Sequence, residues 1–172
     1  MLLIMAALTV GLLGPVTAGS PPVTTTFASA ARTCDVLQAA YTATTNSRSI
    51  AYPPDVQAAS RILSVQSWTP DFRASLSLSS QEFEDMASNA TAYAVPGFKP
   101  ACEWKGTRGA ATDEEGHARY VTFTAPIFAK TGRLALVEVS FREQDSFGHG
   151  LICVVRRPQA TWSATCVRSW IT

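Results

Sequence analysis

Between Arg119 and Trp170 the chain reads as four antiparallel strands, and Cys153 and Cys166 fall where the last hairpin sets them face to face. Alternation in Val121–Thr122–Phe123–Thr124 and in Ala135 to Phe141 gives each strand one apolar face. Lys130–Thr131–Gly132 is the turn between them. With Gly132 in a left-handed conformation, Ala129 pairs with Arg133, Phe123 faces Val139 and Val121 faces Phe141. The strands Leu151 to Arg157 and Trp162 to Trp170 flank a Pro158–Gln159–Ala160–Thr161 loop, which sets Cys153 opposite Cys166 and Val155 opposite Ala164. A slip of one residue would put the thiols on opposite faces. Symmetric closure of the Glu143 to His149 loop makes Val139 a neighbour of Cys153. The expected core is then one stripe of Val121, Phe123, Val137, Val139, Phe141, Leu151, Cys153, Val155 and Ala164.

A disulfide across that hairpin closes a short loop and stabilises by about 3 kcal/mol in the chain-entropy model. The plain alternative is a pair of buried free thiols. Four cysteines allow three pairings, and elimination leaves Cys34 and Cys102 to tie the first helix to the segment before the sheet. None of the four forms a CxxC pair, so zinc and thiol-redox readings are weak, and no cofactor or metal is expected.

An even cysteine count suits an oxidising compartment. Leu2 to Leu13 is a short apolar run followed by Gly14–Pro15 and Val16–Thr17–Ala18, a pattern that suits signal-peptide cleavage after Ala18. No Lys or Arg precedes Arg32, so only the amino terminus supplies positive charge to the leader. Spanning a bilayer takes roughly 20 apolar residues, more than this run offers. The expectation is an exported protein, periplasmic or extracellular, with residues 1–18 as signal peptide and no membrane span after cleavage.

Removing residues 1 to 18 from the 172 leaves 154, room for one domain. Residues 19–31, with Pro21–Pro22 and Thr24–Thr25–Thr26, read as a flexible leader, and residues 32–172 as a single α+β domain. In it, N-terminal helices pack on a C-terminal antiparallel sheet of four or more strands. Thr33 is placed to cap a helix through Val36, Leu37, Ala40 and Tyr41 that ends before Pro53–Pro54. Ile62 to Trp68 fits a strand or the end of a second helix, the strand being favoured, and Pro70 stops either one. Ser79 and Glu82 form a capping box for a helix with Phe83, Met86, Ala87 and Ala90 on one face, ended by Pro96–Gly97. Its carboxylates Glu82, Glu84 and Asp85 sit where the helix dipole favours them. Asn89–Ala90–Thr91 matches a glycosylation pattern inside that helix.

Residues 19 to 118 carry 7 basic and 10 acidic groups, and residues 119 to 172 carry 7 and 3. Arg156 and Arg157 are adjacent on a strand and so point to opposite faces, which argues against a phosphate-binding patch and a nucleic-acid partner. Both histidines lie in loops. His117 follows Asp113–Glu114–Glu115–Gly116, a solvated acidic turn without calcium-loop spacing. His149 sits between Gly148 and Gly150 at the mouth of the sheet, and Glu138 projects from the face opposite to Val139. No Gly-x-Ser-x-Gly elbow, P-loop, dinucleotide fingerprint or His-Glu-x-x-His motif is present.

The order Val121–Thr122–Phe123, Leu134 to Val139, Gly148–His149–Gly150, Thr161–Trp162–Ser163 and Ser169–Trp170–Ile171–Thr172 resembles a group of uncharacterised exported bacterial proteins. That resemblance covers about the last 50 residues and implies a helical or mixed N-terminal half before a C-terminal meander, with no activity attached. The chain is more distantly similar to the nuclear transport factor two-like fold, which implies helices on a curved sheet enclosing a pocket. Two functions are compatible with these features. One is a non-catalytic module that binds a protein or small-molecule partner through the helix–sheet groove or the Glu143 to His149 loop, with apolar surface near Phe147 or Trp170. The other is a small hydrolase or lyase that pairs His149 with Glu138 or Asp145.

Overall fold

The computed structural model describes residues 28–45, 49–112, 119–143 and 147–171. The expected signal peptide, most of the leader, the Asp113 to His117 cluster and Asp145 lie outside them. In chain order the elements are helix α1 (Ala30–Thr44), strands β1 (Ala51–Tyr52) and β2 (Val56–Gln57), helices α2 (Pro70–Ser75) and α3 (Ser80–Asn89), and strand β3 (Thr107–Arg108). The C-terminal strands follow: β4 (Arg119–Phe123), β5 (Ile127–Phe128), β6 (Leu134–Glu143), β7 (Gly148–Arg156) and β8 (Ser163–Ile171). The architecture is α+β, with a mostly antiparallel sheet in the order β2-β4-β6-β7-β8 and β5 paired to β6. Among the described residues no helix is long and apolar enough to cross a membrane.

The expected register holds at its two decisive points. Phe123 pairs with Val139 and Val121 with Phe141, while Cys153 pairs with Cys166 and Val155 with Ala164. Two local expectations are corrected. Ala129 bonds to Leu134, not Arg133, around a turn in which Gly132 is left-handed at φ 64°. The single-residue offset is absorbed between Phe123 and Ile127, where β4 breaks and β5 resumes. Across the β6–β7 hairpin Cys153 pairs with Val137 and Val139 with Leu151. That shift is two residues from symmetric closure, so every side chain keeps its face.

The stripe read from the sequence forms the core against α1. Val121, Phe123, Val137, Val139, Cys153 and Val155 are buried there with Val36, Leu37, Ala40 and Tyr41, and Phe141, Leu151 and Ala164 pack at its margin. Ser29 caps the helix, its side chain accepting from the Arg32 N–H at 3.3 Å, so Thr33 lies one turn inside and the helix starts within the stretch assigned to the leader. Burying one such aliphatic side chain stabilises by about 1.5–3 kcal/mol.

Single-faced burial, by contrast, does not describe β6 and β7. Leu134, Leu136, Ile152 and Val154 form a second core on the other face with Met86, Ala90, Leu63 and Val65. The near-continuous apolar run Leu134 to Val139 reflects a strand covered on both sides. Ile62 to Trp68 is not a strand: Val65–Ser67 is a 3-10 turn, and the segment buries Val65 and Leu63. α3 has the expected capping box, its Ser79 and Glu82 exchanging bonds with each other's backbone N–H. Its side chains hold it to the sheet. Glu82 pairs with Arg156, Asp85 accepts from the Lys130 N–H at 2.9 Å, and Asn89 donates to the Phe128 carbonyl at 3.0 Å. The Asn89 amide of the glycosylation pattern is therefore engaged inside the fold.

Candidate functional site

Both expected disulfides are present, Cys34–Cys102 and Cys153–Cys166. Both lie on the α1 side, where a groove of about 690 Å³ runs between that helix and the start of β8. Asp35, Gln38, Ala39, Thr42 and Ala43 form its helical wall, the stripe adjacent to the buried Val36, Leu37, Ala40 and Tyr41. The facing wall is Ala160 to Ala164, with Ile50 and Lys105 at one end. Gln38 fixes that end, donating to the Ala51 carbonyl and accepting from the Lys105 N–H at 2.8 Å. Gly106, at φ 93°, lets the chain pass against Ile50, whose carbonyl would stand 2.0 Å from a Cβ there. Trp162 is buried at the groove's edge, and its indole N–H has no acceptor among the described residues.

His149 sits on the same sheet face as α1, at the far end. Its ring stacks on Phe141 with centroids 5.0 Å apart and planes at 17°. Burial of the ring, with help from Arg168 and Arg119 and against the opposing charge of Glu143, holds its pKa below the usual histidine value. Around it, Glu143, Phe147, Gly148, Arg168 and Ile171 line a shallow cavity of about 170 Å³. Phe147 is 70% exposed and Ile171 65% exposed, so apolar surface does stand at this loop. Trp170, the other candidate for that surface, turns away.

Its destination is Glu138. Cys166 and Arg168 face α1, and regular alternation would send Trp170 there too. A bulge opposite Gly150 and Leu151 inserts Ser169 and reverses the parity, so Trp170 crosses to the α3 face. There its indole N–H donates to Glu138 Oε1 at 2.7 Å. Gly150 clears the path, since a Cβ on it would stand 2.0 Å from the indole nitrogen. The Ser140 hydroxyl donates to the same oxygen at 3.0 Å, and Thr124 fixes the Glu138 backbone by exchanging bonds of 2.9 and 3.0 Å. Glu138 is 4% exposed and borders a cavity of about 330 Å³ walled by Trp68, Phe72, Ile152, Ser169 and Trp170. Arg61 places a guanidinium nitrogen 3.9 Å from Oε1 and its guanidinium carbon 5.5 Å from the Trp170 ring centre.

The sequence identified Glu138 as a side chain opposite to Val139 but gave no sign of its partners. Trp170 and Ser169 are delivered by a bulge, and Arg61 by an irregular segment, neither of which has a periodic signature. The register also separates Glu138 from His149: one faces α3 and the other α1, and they border different cavities. Arg156 and Arg157 diverge as expected, the first to Glu82 on α3 and the second over the Trp162 ring at 5.9 Å. No group of three or more metal-ligating side chains occurs among the described residues. Compared with known proteins, the chain matches no family model, no curated protein and no solved structure.

Proposed function

We propose that this is an exported, disulfide-stapled module that binds a partner or small ligand, without transforming it, in the groove between α1 and β8. One observation carries the reading: a concavity of about 690 Å³ is walled by α1, the helix that Cys34–Cys102 ties down and against which Cys166 packs. A groove whose walls are fixed before the ligand arrives loses little conformational freedom on binding, and that saving appears as affinity. Trp162 borders the groove with a buried indole N–H that has no acceptor among the described residues, and Asp35 and Lys105 bring charges of opposite sign to its lining. The placement of His149 and Glu138 on opposite faces of the sheet speaks against the Glu138 form of the hydrolase reading, and Asp145, the other partner considered, lies outside the described residues.

Two experiments test it. Intact mass of the protein produced by an exporting host, before and after alkylation, is expected to give a chain starting near Gly19 with two disulfides. Retention of Met1 with four free thiols would remove export. A metabolite and peptide library screened by amide and indole chemical shifts is expected to perturb Gln38, Thr42, Ile50 and Trp162 together. Hits that map only to other surfaces would refute the groove.

A further inference from the structure

We propose that the Glu138 cavity is a binding site for an organic cation, an ammonium or guanidinium group, and that Arg61 is a resident cation which such a ligand replaces. The site lies on the α3 face and is independent of the groove on the α1 face.

Glu138 occupies a strand position flanked on the same face by Leu136 and Ser140, and it is 4% exposed. Withdrawing a carboxylate from water costs several kcal/mol unless a charge and hydrogen bonds compensate it. Both of its hydrogen bonds end on Oε1, which leaves Oε2 without one among the described residues. A glutamine carbonyl would accept the same two bonds at lower cost, so the hydrogen bonds alone do not account for a charged group here. Its present counter-charge is weak. Arg61 stands at 3.9 Å with its side chain 52% exposed, a pair that solvent screens strongly.

The walls fit the same ligand. Trp170 presents its ring to Arg61, and Trp68 and Phe72 add aromatic surface, which is the combination that holds a desolvated cation. Ser169 borders the cavity with a buried hydroxyl that has no partner among the described residues, so an acceptor for an N–H is already in place. Arg142 also stacks on Trp170, at 4.7 Å, but it belongs to β6 and stays with the strand. Arg61 belongs to the irregular segment after β2 and is half exposed, so it is the cation able to leave. Exchange of Arg61 for a ligand cation leaves the charge around Glu138 unchanged.

The test uses the full chain with benzamidinium and its neutral isostere benzamide, read at the Trp170 indole N–H resonance. Benzamidinium is expected to shift that resonance and benzamide to leave it in place. Removing the competitor in Arg61→Ala is expected to tighten benzamidinium by about fivefold, the equivalent of an exposed ion pair. Glu138→Gln keeps both hydrogen bonds and is expected to weaken it by about tenfold or more. If Glu138→Gln does not fold, the charged and neutral probes compared on the wild type and on Arg61→Ala decide alone. Equal binding of benzamide, no shift with either protein, weaker binding by Arg61→Ala, or a shift produced by sulfate in place of the cation would each overturn the proposal.

Discussion

Trp170 and Glu138 lie on different strands separated by β7, and they meet at 2.7 Å only because a bulge turns the indole to the carboxylate's face and Gly150 leaves the intervening space open. Gly150→Ala is therefore expected to displace the indole. The lost bond and the repacking of a large ring should cost about 2 kcal/mol in denaturant-induced unfolding. A loss below about 0.5 kcal/mol, the scale of an ordinary surface change, would show that the ring moves freely and that the contact is not built in.

The two disulfides close loops of very different length, with sequence separations of 68 and 13. In the chain-entropy model, replacing Cys34 and Cys102 by serine costs about 4.4 kcal/mol and replacing Cys153 and Cys166 about 3 kcal/mol. Unfolding of the two double variants by urea checks the order. If the hairpin variant is the less stable, native packing around Cys153 rather than loop closure sets the scale.

Glu82 is held at a pKa of about 2, down from 4.5, chiefly by the Arg156 guanidinium and then by the Ser79 N–H. A carboxylate depressed in the folded state contributes stability that is complete above its ordinary value and is lost as pH falls through the folded one. Acid titration of unfolding free energy should therefore steepen between pH 4.5 and about 2. Glu82→Gln should flatten that interval, and an unchanged profile would mean that the pair persists in the unfolded chain.

His149 acts in a higher window. Burial on Phe141 lowers its pKa, so the unfolded chain binds the proton first as pH falls below the usual histidine value of about 6.5. Stability is expected to decline there until the folded ring protonates in its turn. His149→Phe keeps the stack and removes the titration, and its stability should be level between pH 7 and 5 if this ring is the source.

Parity explains what could be read from the chain in advance. Pairing errors of two residues, as between Val139 and Cys153, preserve the face of every side chain, so the α1 core was legible even where the partner was misplaced. A one-residue error at Ala129 was hidden by an opposite offset before Ile127. The bulge at Ser169 has no such compensation, and alternation alone assigns Trp170 to the wrong face. The second core was present in the run Leu134 to Val139, whose even positions are as apolar as its odd ones up to Glu138. What interrupts that run is the most informative residue in it. A carboxylate on a strand resembles ordinary surface until Arg61, from a segment with no period, is brought beside it.

The sheet is covered on both sides, but only one side is closed covalently. The layer on the α1 face is tied at Cys34–Cys102 and underlain by Cys153–Cys166, whereas α3 is attached by apolar contacts and the side chains of Glu82, Asp85 and Asn89. Local opening takes the path of lowest free energy, so slow breathing of the native state belongs to α2 and α3. Amide protons there should exchange with solvent well before those of α1.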